Sequence, residues 1–200
     1  MASTQRKPSS VRRREIAEAA LRVIGEQGAP SLTTATLARE VGLTPGALFR
    51  HYASIDDILD AAVDFAIEAV NGTFPSDGLA PVERLRAMAL ARVGLVGSTP
   101  GIAWLLLSNQ VFLSIPDAAV ARLRALVRRS RAFLLAAFEE GIACGDLRPG
   151  LTPATMLPIF TGTVHSLIAA RGTQRGKKRG LGTPSPDQVI DALLALWMTG

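Results

Sequence analysis

The sequence is poor in the side chains that build disulfides, metal sites and hydrolytic centres. Its 200 residues include one cysteine, one tyrosine and two histidines. The lone thiol, Cys144, excludes an internal disulfide framework and agrees with a reducing compartment. His51 and His165 are 114 residues apart, which gives no metal-ligand spacing, and no GxSxG, HExxH, paired CxxC or phosphate-loop pattern occurs. We therefore expect no metal, no cofactor and no enzymatic activity.

Two long stretches, 93–116 and 149–170, lack Asp, Glu, Lys and Arg. Proline, glycine and polar residues interrupt both too often for a continuous apolar helix of about twenty residues, the length that crosses a membrane. They are typical instead of buried helices in a water-soluble α-helical protein. The basic residues near the start have no apolar segment behind them, which argues against a secretory signal. We expect a cytoplasmic protein with no membrane partner.

What the sequence does have is hydrophobic residues at helical spacing. They make up 48% of the composition, which is ample for a buried core. No alternating strand pattern bounded by hairpin turns occurs, so we expect an all-α fold of about nine helices. They are predicted near 11–27, at 34–41, from Pro45 onward, from Ser54 through Val70, and near 82–97, 101–114, 117–143, 153–171 and 186–198.

Residues 32–52 predict two short helices joined by a tight turn. Thr33 is a natural N-cap for the first, because its side-chain oxygen can accept a free amide of the first turn. Gly42 supplies the left-handed residue that ends this helix. Thr44 caps the second helix, and Pro45 occupies its first position, where the missing N–H costs nothing. The pattern predicts a helix-turn-helix.

The second of these helices carries almost no bulk at its tip, so its backbone can press into a DNA groove. The apolar residues of the pair can share one small core, composed of Leu37, Ala38, Val41, Leu43, Leu48 and Tyr52. The residues left on the outside form the candidate DNA-contacting set: Pro45, Gly46, Ala47, Phe49, Arg50 and His51.

Positive charge gathers around this motif. Residues 1–55 hold eight basic and four acidic groups, a net +4, whereas the other 145 residues hold fourteen and thirteen, a net +1. Charge of this sign beside a helix-turn-helix is what the neutralisation of phosphates requires. A solvated basic surface would have the same composition, so the coincidence with the motif carries the argument.

A shared spacing of residues in 12–65 then identifies a family. The matching positions are Gly28, Thr33, Leu37-Ala38, Val41-Gly42-Leu43-Thr44, Leu48-Phe49 and His51-Tyr52. At these positions the chain resembles the TetR family of bacterial transcriptional regulators. The resemblance implies a DNA-binding domain at 1–55 with a basic N-terminal arm, and a ligand-binding and dimerisation domain at 56–200. The DNA-contacting positions that it implies are Arg12, Arg13, Thr33, Thr34, Thr44, Pro45, Gly46, Ala47, Phe49, Arg50 and His51.

The match departs from the family at positions that bind DNA. Gly46 and Ala47 lie where family members contact base edges, and neither can donate a side-chain hydrogen bond, although Ala47 could meet a thymine methyl. Phe49 replaces a usual tyrosine, and Ile55 stands where a lysine is common. We therefore expect the arm (Arg6, Lys7, Arg12, Arg13, Arg14) to supply more of the affinity. His51 could donate to a phosphate or cap the end of its helix.

The last two predicted helices are the candidate dimer surface. Gly162, Ser166 and Ala170 recur every four residues and would let two helices approach closely. Pro158 is expected to kink that helix or delay its start. His165 is expected to be a core or interface histidine, and the alternative is that it orients a ligand. The resemblance implies a homodimer through a four-helix bundle, although the final helix could pack within its own subunit. Its apolar stripe is Val189, Leu193, Leu196 and Trp197.

By the same resemblance the larger domain encloses a small, often apolar effector. The candidate residues are Trp104, Leu107 and Phe112, with Phe133 and Phe138 facing them, although ordinary core packing explains these side chains first. Arg92, Asn109 and Gln110 are the polar candidates. The expected function is a repressor released from a palindromic operator by that effector. The alternative is a nucleoid-associated factor that recruits a protein partner without an inducer.

Overall fold

The structure, a computed structural model, describes residues 8–76, 78–173 and 184–199. Within them the chain forms nine α helices and two 3-10 turns, at Ala29–Ser31 and Asn109–Leu113, so the all-α prediction is confirmed. Arg6 and Lys7 of the predicted arm lie outside the described residues. The helices are α1 (Ser9–Gln27), α2 (Thr34–Glu40), α3 (Pro45–Leu48), α4 (Ile55–Asn71), α5 (Pro81–Ser98), α6 (Pro100–Leu107), α7 (Asp117–Ala143), α8 (Pro153–Thr173) and α9 (Pro186–Trp197).

Helix boundaries follow the sequence except where local polar groups intervene. The predicted helix at 101–114 is wrong: α6 ends at Leu107, because Ser108 is extended and its Oγ accepts a hydrogen bond from the Gln110 amide at 3.2 Å. Pro158 does not delay α8, which begins at Pro153 and contains Pro158. The predicted 117–143 helix matches α7.

The chain divides into two compact units, each made of two stretches of sequence. The first contains the described residues up to Glu68 together with Thr99–Leu123, and the second contains Ala69–Ser98 together with the described residues from Arg124 onward. These units are groups of packed segments, and the predicted division into functional domains at 55/56 stays a prediction.

Close backbone contact explains why a later segment joins the first unit. Helix α6 packs against α1. A Cβ added to Gly101 would lie 2.1 Å from the Leu21 carbonyl oxygen, and one added to Gly25 would lie 2.3 Å from the Gly101 nitrogen. Two glycines thus let these helices meet at backbone distance. Four apolar residues of α1 are also buried: Ile16, Ala20, Val23 and Ile24.

In the second unit, α5 packs against α8 and α9. Phe138 of α7 is fully buried, and its ring meets the edges of two others, at 5.7 Å from Phe160 and 5.8 Å from Trp197 between centroids. An ion pair between Arg86 and Asp191 joins α5 to α9 at 2.6 Å. Aromatic packing and this exposed pair therefore connect α5, α7, α8 and α9.

Among the residues that the structure describes, no single helix is long and apolar enough to span a membrane. Helices α5 and α6 satisfy the length and composition requirement only as a bent pair.

Candidate nucleic-acid interface

The two short helices are capped as the sequence predicts. Thr33 is extended and its Oγ1 accepts the Thr36 amide at 3.1 Å, and the Thr44 Oγ1 accepts the Ala47 amide at 3.2 Å. Pro45 stands at the first position of α3. Gly42 has a φ of +66°, the left-handed conformation that glycine adopts at no steric cost. The four predicted local interactions of the helix-turn-helix are confirmed.

The predicted small core has also formed. Leu37, Ala38, Leu48 and Tyr52 are buried, while Val41 and Leu43 are half-buried. Tyr52 ties the end of the motif to α1, because its hydroxyl donates to the Arg13 carbonyl at 3.0 Å and the Arg13 guanidinium lies 4.4 Å from its ring centre. Burial, opposed by Arg13, raises the pKa of Tyr52. The helix-turn-helix is thus fixed on α1.

On the outer side is a surface that we call the α3 tip, made of Pro45, Gly46, Ala47 and Phe49, with Arg50 next to it in the chain. All except the half-buried Ala47 are exposed. A Cβ added to Gly46 would meet no atom within 4 Å, so the fold itself does not require glycine there. Helix α3 ends at Leu48, and Phe49 and Arg50 follow in the turn. The tip therefore presents accessible backbone, with one cation just beyond it.

Arginines near the motif differ in whether they have a carboxylate partner. Arg12 pairs with Glu15 at 2.9 Å. Further pairs join Arg14 to Glu68 at 2.9 Å and Arg22 to Glu40 at 3.2 Å. In the described part of the chain around the motif, the exposed cations with no carboxylate within 4 Å are Arg13, Arg39 and Arg50.

Arg39 is absent from the candidate set derived from the sequence. It lies in the last turn of α2 and is exposed. From the sequence alone Arg39 resembles Arg22, because both lie near glutamates on helices. Only the packing of α1 against α2, which brings Glu40 to Arg22, separates a paired arginine from an available one.

The threonine hydroxyls differ in the same way. Thr33 donates its proton to the Thr36 Oγ1 at 3.0 Å. The Thr44 hydroxyl accepts an amide but donates to no described residue, so its proton is available to a phosphate oxygen. Thr34 is half-buried at the first position of α2.

His51 is half-buried beside the α3 tip. Its backbone amide donates to the Leu48 carbonyl at 3.0 Å. Its side-chain Nδ1 is buried and has no hydrogen-bond partner among the described residues. Capping of the helix end through Nδ1 is therefore not observed, and donation to a phosphate stays a prediction.

The predicted effector residues fall in both compact units. Trp104 is half-buried, and Leu107, Asn109 and Phe112 are exposed, all in the first unit. The second unit holds Arg92, Phe133 and Phe138. The sequence predicts that the last two rings face residues 93–116. Their aromatic contacts are Phe74 for Phe133, and Phe160 and Trp197 for Phe138.

The Phe138 ring has no exposed surface and presents no area to a ligand in this structure, so its role in effector binding stays a prediction. It belongs to the core of the second unit. The same holds for Trp197 in the dimer prediction: it is 6% exposed and packs on Phe138, so it is not part of an exposed stripe. The sequence could not separate these rings from the exposed residues, because both kinds recur at helical spacing.

The remaining dimer candidates lie on what we call the α8–α9 surface. Gly162, Ser166 and Ala170 of α8 are exposed, and Leu196 of α9 is 70% exposed. Val189 and Leu193 are half-buried. His165 is exposed on this α8 face, so the core alternative predicted for it is wrong. Partial desolvation nevertheless lowers the pKa of His165, which favours a neutral ring at neutral pH.

The chain is similar in sequence and in fold to known proteins. A family model described as bacterial regulatory proteins of the tetR family matches residues 16–62. The nucleoid occlusion factor SlmA of Marinobacter nauticus is 30% identical over 161 residues, which cover 76% of this chain and 76% of that protein.

Among solved structures, AibR in complex with isovaleryl coenzyme A and operator DNA has a TM-score of 0.73 at 22% identity, covering 94% of this chain and 98% of that chain. FadR from Bacillus subtilis in complex with stearoyl-CoA has a TM-score of 0.63 at 17% identity, covering 93% and 97%. Both share the fold. The capped helix pair, the family model and the relative at 30% identity lead to one conclusion: this chain belongs to the tetR family of bacterial regulatory proteins and is a helix-turn-helix, DNA-binding transcriptional regulator.

Proposed function

We propose that the protein is a homodimeric repressor that binds a roughly palindromic operator in the bacterial cytoplasm and is released by a small-molecule effector. The observation that carries this proposal is the α3 tip. Its backbone is accessible at Gly46, and the helix that bears it is capped by Thr44. A helix of this kind enters the major groove, and two copies across a twofold contact two half-sites.

The available cations divide into two roles. Arg50 stands beside the tip and can reach a guanine edge, where a bidentate contact discriminates between bases. Arg13 and Arg39 are exposed, have no carboxylate within 4 Å in the described part of the chain, and can neutralise phosphates whatever the DNA sequence. The Thr44 hydroxyl adds a phosphate donor at the start of α3. Sequence preference therefore rests on few groups, and affinity rests on many.

The α8–α9 surface is the proposed dimer interface. Between Pro153 and Ala170 helix α8 has no ionisable residue except His165. The side chains at its exposed positions Gly162 and Ser166 are small. Leu196 presents a large apolar side chain nearby in the chain's last helix. Small, uncharged residues let a second copy of the pair pack closely, and burying Leu196 there removes apolar area from water.

The effector is proposed to act on the second unit, where Arg92 and Phe133 are half-buried rather than sealed in the core. AibR and FadR, which share the fold, have been crystallised with coenzyme A thioesters. Roles for Trp104, Leu107, Asn109 and Phe112 in effector binding stay predictions.

A second candidate function is supported by the match to SlmA, whose name describes nucleoid occlusion. In that case the protein would bind many chromosomal sites and recruit a protein partner, with no small-molecule release.

Selection of bound fragments from genomic DNA by the purified full-length protein separates these possibilities. We expect a few strong sites with a two-armed inverted repeat, and loss of the footprint when a compound from a small-molecule library is added. Widely distributed sites that no compound releases would favour the second function. No preference for any DNA over a polyanion competitor such as heparin would contradict both.

A further inference from the structure

Arg92 is a half-buried residue of α5 with two neutral hydrogen-bond partners. Its Nε donates to the Thr73 Oγ1, and its Nη2 donates to the Ser130 Oγ at 3.1 Å. Thr73 is itself buried and donates to the Val70 carbonyl at 2.6 Å, while Ser130 donates to the Leu126 carbonyl at 2.9 Å. The hydroxyls therefore hold the guanidinium in one orientation and leave its charge without compensation.

A second guanidinium lies on the same aromatic ring. The centre of the Arg92 guanidinium is 5.2 Å from the Phe74 ring centre, and that of Arg129 is 4.5 Å from it. Arg129 donates from Nη1 to the Asn71 Oδ1 at 3.0 Å. The Phe133 ring meets Phe74 edge-on at 5.3 Å between centroids. Two cations and two aromatic rings thus form one cluster.

This cluster has no negative charge of its own. No carboxylate of the described chain lies within 4 Å of either guanidinium, whereas Arg86 and Arg122 each pair with two carboxylates. Burial, and next the charge of Arg129, lower the pKa of Arg92 to about 10. A partly buried cation is costly unless an anion compensates it, and a second cation nearby adds to that cost. Arg92 and Arg129 are nevertheless both present in this cluster.

We propose that Arg92 and Arg129 bind the anionic group, a carboxylate or a phosphate, of a small effector whose apolar part contacts Phe74 and Phe133. The inference rests on the proposed function and names the chemical class of its ligand. Guanidinium groups bind both anions through paired N–H donors. The Nη1 of Arg92 and the Nε and Nη2 of Arg129 have no partner in the described residues and can supply them.

The test uses the full-length protein and four probes in calorimetric titrations: octanoate, octyl phosphate, octanol and inorganic phosphate. We expect octanoate or octyl phosphate to bind at least about tenfold more tightly than octanol, since hydrogen bonds to charged groups contribute more than neutral ones. The stronger of the two identifies the anion. If inorganic phosphate binds as tightly as octyl phosphate, the two rings contribute nothing and their role in the proposal is contradicted.

Variants assign the site to these residues. Arg129→Gln and Arg92→Gln should each weaken binding of the preferred anion about tenfold or more and leave octanol unchanged. The control is Arg128→Gln, an exposed neighbour on α7, which should change nothing. Arg129 is exposed, so its variant keeps the test valid if Arg92→Gln does not fold.

Equal binding of octanol and octanoate, no binding of either anion, or unchanged binding in the Arg129→Gln variant would overturn the site. The proposed repressor function is tested separately by DNA release. An anion that binds through Arg129 but leaves DNA bound would contradict effector control and preserve the site. Release by a neutral compound, unaffected by both variants, would preserve effector control and remove the site.

Discussion

The α3 tip and the α8–α9 surface are built alike and surrounded differently. Each exposes small residues, Gly46 in one and Gly162 and Ser166 in the other, so that another backbone can come close. Next to the tip is Arg50, an exposed arginine with no carboxylate within 4 Å among the described residues. Helix α8 has no charged side chain between Pro153 and Ala170, apart from the titratable His165.

Small residues let another molecule approach the backbone, and the neighbouring charge determines which kind of molecule binds. Bare backbone flanked by cations suits a polyanion, because each phosphate neutralised adds a salt-dependent contribution to affinity. Bare backbone without charge suits a second copy of the same surface, because no charge must be desolvated when the two meet. Substitutions that change a charge or a small residue, on these surfaces or on the neighbouring helix α1, test this comparison.

The largest effect should come from charge placed on the α8–α9 surface. Leu196→Glu puts a carboxylate where we expect the partner subunit, and an unpaired charge there should prevent association. Because two linked DNA-binding domains bind far more tightly than one, we expect operator affinity to fall about 100-fold. Sedimentation and electrophoretic mobility shifts measure the two effects. Leu113→Glu, at a leucine that is 91% exposed in the first unit, is the matched control. A wild-type monomer would contradict the interface.

Removal of the cation beside the α3 tip should come next. Arg50→Ala is expected to cost about 1–3 kcal/mol on the operator and clearly less on random DNA, because a base contact discriminates by that amount. Competition binding with both DNAs measures the difference. Arg22→Ala is the control, since Arg22 already pairs with Glu40. Equal losses on operator and random DNA would show that Arg50 contacts a phosphate.

The double variant Arg12→Ala with Arg13→Ala should weaken binding to all sequences. Removing one phosphate interaction reduces the slope of log K against log salt by about 0.9. Since Glu15 already neutralises Arg12, we expect most of the change to come from Arg13. The single variants, titrated at several salt concentrations, separate the two. A change confined to the operator would contradict a phosphate role.

The smallest effect should come from adding one methyl group at the α3 tip. Gly46→Ala should stabilise the fold by about 0.5–1 kcal/mol, because alanine favours helix over glycine and the position is open. DNA affinity should nevertheless fall a few-fold, since the methyl holds the backbone away from the groove. Gly94→Ala, at another open helical glycine, should show the stability gain alone. Unchanged DNA affinity in Gly46→Ala would remove the tip from the interface.

Most of the local structure of the proposed DNA-binding surface could be predicted from residues close together in the sequence. Thr33 and Thr44 cap helices three residues ahead of the amides they bind, and Gly42 has the positive φ that ends α2. Prediction failed where a distant partner decides the outcome. The sequence places Trp197 on an exposed stripe, but in the structure its ring packs against Phe138. Arg39 and Arg22 look alike in the sequence, but only Arg22 pairs with Glu40 in the described part of the chain.

Helix content, the helix-turn-helix and its caps are therefore matters of local sequence, because hydrogen bonds over three or four residues and the fixed preferences of glycine and proline decide them. The surroundings of each arginine are decided by tertiary packing. Glu40 neutralises Arg22 across two helices, and Asp60 and Asp64 neutralise Arg122 across more than fifty residues. Among the described residues, the Arg92 guanidinium interacts with two hydroxyls and the Phe74 ring. Electrostatic energy depends on distance and burial, and neither quantity is written in the order of the residues.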